Sequence, residues 1–282
     1  MPVRNVVAGL LTGTLTACGG AGARGTPQTY EVAAVRFATL PDFRVRSLVS
    51  GADSSRRLDV AMMVWPLRAP NGDIVLVDAG FTRQKFSTQW KPRDYVTPDS
   101  ALREAGFDPA RVTDIVISHI HWDHADGVER FANARIWLQR EEFEYYVGPN
   151  GEARQPAIDA EVAAMYRRLF AAGRVRLAEG DNAEIRPGIR VHTGGKHTFA
   201  SQFVSVATAV GTAVIASDNA YLYENLEQRR PIAQTLDSLS NLAAQRRMFA
   251  LASSPALVVP GHDPAVFTRF RPLRARSVTI AR

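Results

Sequence analysis

Three histidines and an aspartate fall within six positions of the run Ser118-His119-Ile120-His121-Trp122-Asp123-His124. Imidazole nitrogen and carboxylate oxygen are donors for divalent cations, and so dense a set points to metal chemistry. In an extended or turning segment, residues i and i+2 point the same way. His119 and His121 can therefore share one ion, while the following turn aims Asp123 and His124 at a second. Two ions need more ligands, and the chain offers His197 in Gly194-Gly195-Lys196-His197-Thr198, Asp218 in Ala216-Ser217-Asp218, and His262 in Pro260-Gly261-His262. Five of the six histidines are then engaged. A donor set of imidazole and carboxylate without thiolate suits two zinc ions first, with iron, manganese or cobalt as the other metals it accommodates.

Ligands so far apart in sequence must be delivered by elements that converge. From Tyr30 onward, short β-rich runs alternate with helical stretches, and no repeat of fixed period is visible. Residues 60–65 and 74–77, joined by Pro70-Asn71-Gly72-Asp73, predict a hairpin that hands Asp78 to a loop. A helix is predicted over 98–105, stopped by Gly106, and a buried strand over 114–118 leads into the histidine run. Ile158, Val162, Met165 and Leu169 share one helical face and read as core. In the C-terminal half, strands are predicted over 189–192, 203–209 and 212–216, then a helix over 232–252 and a strand over 256–259 that delivers the loop of His262. Strands followed by helices in both halves predict an α/β fold of two sheets with helices outside. His192, the remaining histidine, falls on a strand and reads as structural; Arg269, Arg271, Arg274 and Arg276 read as a solvated tail.

Composition narrows the class. With 46% hydrophobic residues, a net charge of +6 and one cysteine in 282 residues, the chain fits neither a disordered protein nor a disulfide scaffold. No stretch approaches the roughly 20 apolar residues of a spanning helix. The modest positive charge permits an anionic partner without demanding one, and no nucleic-acid partner is expected. Residues 1–17 run from a basic start through an apolar stretch to small residues, the layout of an export signal. Leu15-Thr16-Ala17-Cys18-Gly19 resembles the lipobox of bacterial lipoproteins, where the cysteine becomes the lipidated first residue; the rival is cleavage after Ala21-Gly22-Ala23 and release of a soluble protein. The expected plan is a lipoprotein-type signal over 1–17, a flexible tether over 18–28 and one folded domain over 29–282. The expected location is outside the cytoplasm, anchored to a membrane through Cys18 in preference to soluble in the periplasm or medium.

The order His-x-His-x-Asp-His, then a later His, an Asp and a final His, resembles the metallo-β-lactamase superfamily over about residues 30 to 270. The resemblance implies an αββα sandwich, a single domain with two metals at one edge of its two sheets. Carried over residue by residue, it implies that His119, His121 and His197 bind the first metal. Asp123, His124 and His262 would bind the second, with Asp218 bridging. Asp78 matches an early aspartate of the family that supports the metal loop from behind. Lys196 departs from the Pro-Gly-His-Thr form common in the superfamily, which puts the local turn in doubt.

Fold alone does not settle the substrate of such a protein. Asp218 stands where class B β-lactamases most often have a cysteine, and only 20 residues follow His262, too few for the helical domain of glyoxalase II enzymes. The N-acyl homoserine lactonases carry a Tyr three residues after the bridging Asp, then Glu-Asn, and here Asp218-Asn219-Ala220-Tyr221 continues to Tyr223-Glu224-Asn225. That likeness implies a quorum-quenching lactonase that opens N-acyl homoserine lactones by attack of a metal-bridging hydroxide. Tyr221 would donate to the oxyanion, and Asp123 would carry a proton to the leaving oxygen. The alternative keeps the metal centre and changes the small-molecule substrate to a β-lactam, phosphotriester, thioester or aryl ester. The walls of the substrate pocket are expected from the segment between His124 and His197, with Phe143, Tyr145, Tyr146 and the helix of Met165.

Overall fold

A computed structural model describes residues 1–2, 28–149, 153 and 158–282. The expected signal segment and tether, Cys18 included, lie outside the described residues except at positions 1, 2 and 28.

The first half of the chain forms β1 (Glu31–Arg44), β2 (Arg57–Arg68), β3 (Ile74–Val77), α1 (Gln84–Trp90), α2 (Pro98–Glu104), β4 (Val112–Val116), α3 (Trp122–Ala125), β5 (Arg135–Gln139), α4 (Arg140–Tyr146), α5 (Ala160–Ala171) and β6 (Val175–Ala178). The second half forms β7 (Ala183–Arg186), β8 (Ile189–Thr193), β9 (Gln202–Thr208), β10 (Gly211–Ser217), α6 (Tyr223–Glu227), α7 (Ser238–Leu251), β11 (Val258–Pro260), α8 (Val266–Arg269), β12 (Arg271–Arg274) and β13 (Ser277–Ala281). Two sheets result, one of eight strands in the order β12-β13-β1-β2-β3-β4-β5-β6 and one of five in the order β11-β10-β9-β8-β7.

Side-chain alternation along the strands builds two apolar layers. In the larger sheet Val35, Phe37, Met62, Val64, Ile74 and Leu76 face a layer shared with α1, α2, α4 and α5. Their neighbours Val32, Ala34, Met63, Trp65, Val75 and Val77 face the smaller sheet, whose Val191, Val204 and Ile215 share one face by register, while His192 and Phe203 stand on its other face, toward α7. Both faces of β2 and β3 are thus buried, which explains their nearly unbroken apolar sequence. Helix, sheet, sheet, helix is the αββα sandwich that the resemblance implied. Asp114 of β4 crosses between the sheets, fully buried, and accepts from Arg135 and Trp137 of β5 and Arg186 of β7.

Several expectations shift. The longest strand, β1, has no counterpart among the predicted elements, because Pro41 and a left-handed Asp42 (φ 56°) interrupt its pattern at an irregularity in the pairing with β2. The helix expected from residue 232 starts at Ser238, where the Asp237 side chain caps the Leu239 and Ser240 amides. The strand expected over 114–118 is 112–116, which leaves Ile117 and Ser118 to the loop. The arginine-rich end is not a solvated tail. It forms β12 and β13, with β13 paired antiparallel to β1 through buried Val278 and Ala281. Arg269 and Arg276 are held by Glu227 and Glu104.

The turn that follows α3 packs without spare room against the chain after β3. A Cβ on Gly127 would stand 2.1 Å from the Ala79 carbonyl oxygen. The Gly127→Ala variant is therefore expected to lose about 1–3 kcal/mol of stability, read as a fall of several degrees in the midpoint of thermal unfolding; an unchanged midpoint would refute this packing.

Candidate metal centre

Every candidate ligand stands at the end of a strand or on the loop after it, and all lie at one edge of the sandwich. Asp78 follows β3, the run 119–124 follows β4, His197 lies between β8 and β9, Asp218 follows β10 and His262 follows β11. The fold brings all seven expected ligands together in two groups: His119, His121, His197 and Asp218 in one, and Asp123, His124 and His262 in the other. Within each group the donor atoms lie within 4.8 Å of one another. His119 Nε2 and His197 Nε2 are each 3.0 Å from His121 Nδ1, near the roughly 3.3 Å between nitrogens that share a tetrahedral ion. Asp218 joins the groups: its Oδ2 is 3.3 Å from His197 Nε2 and 3.7 Å from His119 Nε2, and its Oδ1 is 2.9 Å from His262 Nε2 and 3.3 Å from His124 Nε2. Asp123 Oδ2 lies 3.5 Å from His124 Nε2 and 3.9 Å from His262 Nε2.

The outer hydrogen bonds of the rings decide which nitrogen is free. His124 Nδ1 meets Asp78 Oδ2 at 2.8 Å, His197 Nδ1 the Gln234 carbonyl at 2.9 Å, and His262 Nδ1 the Ala61 carbonyl at 3.0 Å. Carboxylates and carbonyls only accept, so these Nδ1 atoms carry the proton and each Nε2 turns a lone pair inward. His119 Nδ1 meets Ser118 Oγ at 3.0 Å, and because that hydroxyl gives its proton to Asp78, His119 Nδ1 is the donor here too. His124 Nε2 and Asp218 Oδ1 are buried and have no hydrogen-bond partner of sound geometry among the described residues. A buried donor set left open in this way fits a divalent cation.

Burial and the neighbouring imidazoles hold His119 and His197 below the usual histidine range, and the same causes take His121 down to about 3. Neutral rings of this kind can bind metal throughout the physiological pH range. Burial alone would depress His124 and His262 too, but the Asp218 carboxylate lifts both. Burial would raise Asp218, yet His124 and His262 hold it well below the carboxylate range.

Asp78 sits behind this arrangement, fully buried and left-handed at φ 57°. Besides His124 it accepts from the Ser118 amide at 2.8 Å, the Ser118 hydroxyl at 3.0 Å and the Ser217 hydroxyl at 2.9 Å. Sequence reasoning missed both serines, although each immediately precedes a ligand. It also missed Asn219, whose Oδ1 accepts from the Gly195 amide, and Glu142, which accepts from the Ile120 and Ala200 amides. No motif marks Glu142; burial pushes its carboxyl up to about 7. The unusual Lys196 takes a left-handed conformation (φ 58°) and donates to the Phe199 carbonyl, so the turn forms without the common proline. Gly261 is needed for approach, since a Cβ there would stand 2.9 Å from Asp218 Oδ1. His192 is buried away from the ligands, beside the Ser205 hydroxyl and stacked on Phe203, as expected of a structural residue.

A cavity of about 190 Å³ opens over the two groups, and His121, Asp123, Asp218, Tyr221 and His262 line it. Its apolar walls are not those expected. They come from Leu40, Phe43, Leu48, Val60, Met62 and Trp90, ahead of the histidine run in sequence, and from Trp122 within it. Phe143, Tyr146 and Met165 instead fill the layer beneath the larger sheet, and Tyr145 stacks on Phe199. Trp122, between two ligands in sequence, stacks on Phe86 and Trp90 and ties the histidine run to α1. The Tyr221 hydroxyl lies 3.3 Å from His197 Nδ1. That nitrogen already donates to Gln234, so the phenol proton is left for another acceptor. Burial, with Asp218 and Asp123 nearby, raises the Tyr221 pKa well above its usual value and keeps that proton in place.

Comparison with known proteins agrees with this geometry. The sequence profile of the Metallo-beta-lactamase superfamily matches residues 60–262. An N-acyl homoserine lactonase of a Bacillus species is 29% identical over 164 residues, which is 57% of this chain and 60% of that protein. Another from Rhizobium johnstonii is 28% identical over 177 residues, 60% of this chain and 65% of that protein. The chain thus spans less than two thirds of the length of these relatives. The crystal structure of a quorum-quenching N-acyl homoserine lactone lactonase superposes with a TM-score of 0.72 at 20% identity, over 87% of this chain and 98% of that one. A hydrolase of the beta lactamase superfamily, AbOPH, superposes with a TM-score of 0.65 at 15% identity, over 86% of this chain and 91% of that one. At these identities the superpositions speak for the fold alone.

Because Asp78 sets the tautomer of His124 and the backbone of the loop, replacing it should loosen metal without removing a donor. Asp78→Asn turns an amide NH2 toward groups that themselves donate, and is expected to weaken divalent-metal affinity about 10- to 100-fold in a chelator competition. An unchanged affinity would show that Asp78 is only a turn residue.

Proposed function

We propose that this chain, which belongs to the metallo-β-lactamase superfamily, is a metal-dependent hydrolase that holds two zinc ions and opens the ring of lactones, N-acyl homoserine lactones first. The observation that carries the reading is the pairing of the Asp218 bridge with Tyr221 over one cavity. Each Asp218 oxygen faces a different ligand group, and three residues later a buried phenol keeps a proton free above them. The lactonase relatives support the choice of substrate.

Two divalent cations held by these residues would supply a Lewis acid for a carbonyl and a water made far more acidic than in bulk. The protein's own residues do the rest. Asp218 holds the two ligand groups together, and the apolar walls from Leu40 to Trp90 receive an acyl chain and exclude water from it. When water adds to the lactone carbonyl, Tyr221 donates to the oxygen that gains charge. The acyl–oxygen bond of the ring then breaks, and the departing ring oxygen must gain a proton. Asp123, a part-exposed carboxylate at the cavity floor, takes that proton from the attacking water and delivers it. The product is a hydroxy acid. We further propose that the protein is exported and anchored through a lipid on Cys18, a reading supported by the run Leu15-Thr16-Ala17-Cys18-Gly19.

Zinc-loaded protein mixed with an N-acyl homoserine lactone at constant pH should release one acid equivalent per ring opened, and a chelator should abolish the rate. No release by protein that demonstrably holds metal would sink the lactonase reading in favour of β-lactams or phosphotriesters. Tyr221→Phe is expected to lower kcat on the order of 100-fold, the scale of one lost oxyanion donor, at unchanged metal content. Asp123→Asn should lower turnover more than it lowers bound metal, and a parallel loss of both would make Asp123 a ligand only.

A further inference from the structure

On the far side of the segment that carries Tyr221, a second and larger cavity of about 880 Å³ opens between α6, α7 and the chain around Pro255 and Phe270. None of the residues that line it lines the metal cavity. Its walls are apolar, with Leu226, Leu242, Phe249 and Phe270 among them. The Tyr223 hydroxyl and Gln245 Oε1 are buried and have no hydrogen-bond partner among the described residues. An unpaired buried polar atom costs about 1–3 kcal/mol, but neither of these is open to the cavity, so both lie behind its lining and the accessible polar groups are those at the rim. At the rim Arg229 and Arg246 are exposed and make no ion pair or hydrogen bond among the described residues, whereas Arg269 is taken up by Glu227 and by the face of the Tyr223 ring. Three arginines against one glutamate leave the lining cationic.

We propose that this cavity is a binding site for a single-chain amphiphile with a carboxylate head, of the fatty-acid class. The alkyl chain lies against Leu226, Leu242, Phe249 and Phe270, and the exposed Arg229 and Arg246 receive the head. The volume lies within the roughly 300–1,000 Å³ of small-molecule sites. Charge complementarity commits the site to an anion: two free guanidinium groups beside an apolar cleft would repel a cationic amphiphile and leave a neutral alcohol without its main polar partners. The inference is independent of the lactone reaction, because the site and its groups are separate from the metal cavity.

Calorimetric titration of the full, metal-loaded chain with decanoate, dodecanoate and decyltrimethylammonium, each below its micelle concentration, tests it. Saturable binding of decanoate is expected, tighter for dodecanoate by roughly tenfold, the scale of two more buried methylenes, with none for the cation. The Arg229→Glu/Arg246→Glu double variant, which alters exposed and unpaired side chains, should weaken decanoate at least tenfold, and Leu242→Glu should abolish binding. Equal binding of the cationic amphiphile would overturn the proposal. So would decanoate binding that survives both variants, which would place the carboxylate on the metals. A self-associated protein that the double variant dissociates, with no decanoate bound, would assign the cleft to a second copy of the chain and overturn it too.

Discussion

One buried carboxylate holds the working edge of this protein together. Asp78 has no contact with solvent, and its two oxygens take up four groups: the amide and hydroxyl of Ser118, the hydroxyl of Ser217 and Nδ1 of His124. Those partners follow β4 in one sheet and end β10 in the other, so a single side chain fixes how the sheets present their loops. A buried negative charge is costly unless it is fully paired. Here the pairing also settles the tautomer of His124 and thereby turns a lone pair toward the centre.

The same economy of position runs through the site. Asp78, Lys196 and Ser217 are all left-handed without being glycine, a conformation that costs of order 1–3 kcal/mol each and that clusters where surrounding structure over-determines the chain. Asn219, Gly261 and Glu142 do that work around them, tying the loops of His197, His262 and the histidine run to one another. The ionisation pattern follows from the packing. Burial and the neighbouring rings hold His119, His121 and His197 down, whereas at His124 and His262 the Asp218 carboxylate outweighs burial.

Tyr221 and Tyr223 stand two residues apart and line different cavities. The short segment from Asp218 to α6 is therefore a partition. One side presents the Asp218 carboxylate and a phenol to the candidate metal centre, and the other lines an apolar cleft with free guanidinium groups at its rim.

By itself the sequence pointed to the seven candidate donors, and its resemblance to a known family implied their grouping and the fold that carries them. Metal chemistry restricts residue type and spacing so tightly that His119, His121, Asp123 and His124 stand out, and the nearly unbroken apolar runs of β2 and β3 follow from burial on both faces. What it left undecided depended on contacts distant in sequence. The C-terminal arginines read as a tail because their charge hides a strand whose partner, β1, lies more than two hundred residues earlier. The walls of the metal cavity were placed in the wrong segment because proximity in sequence to the ligands says nothing of which strand edge folds over them. Ser118, Ser217, Asn219 and Glu142 carry no motif, since an ordinary polar residue becomes a support only when tertiary packing buries it beside a ligand. The second cavity, formed where α6, α7 and the chain around Pro255 and Phe270 meet, existed only once those segments had come together.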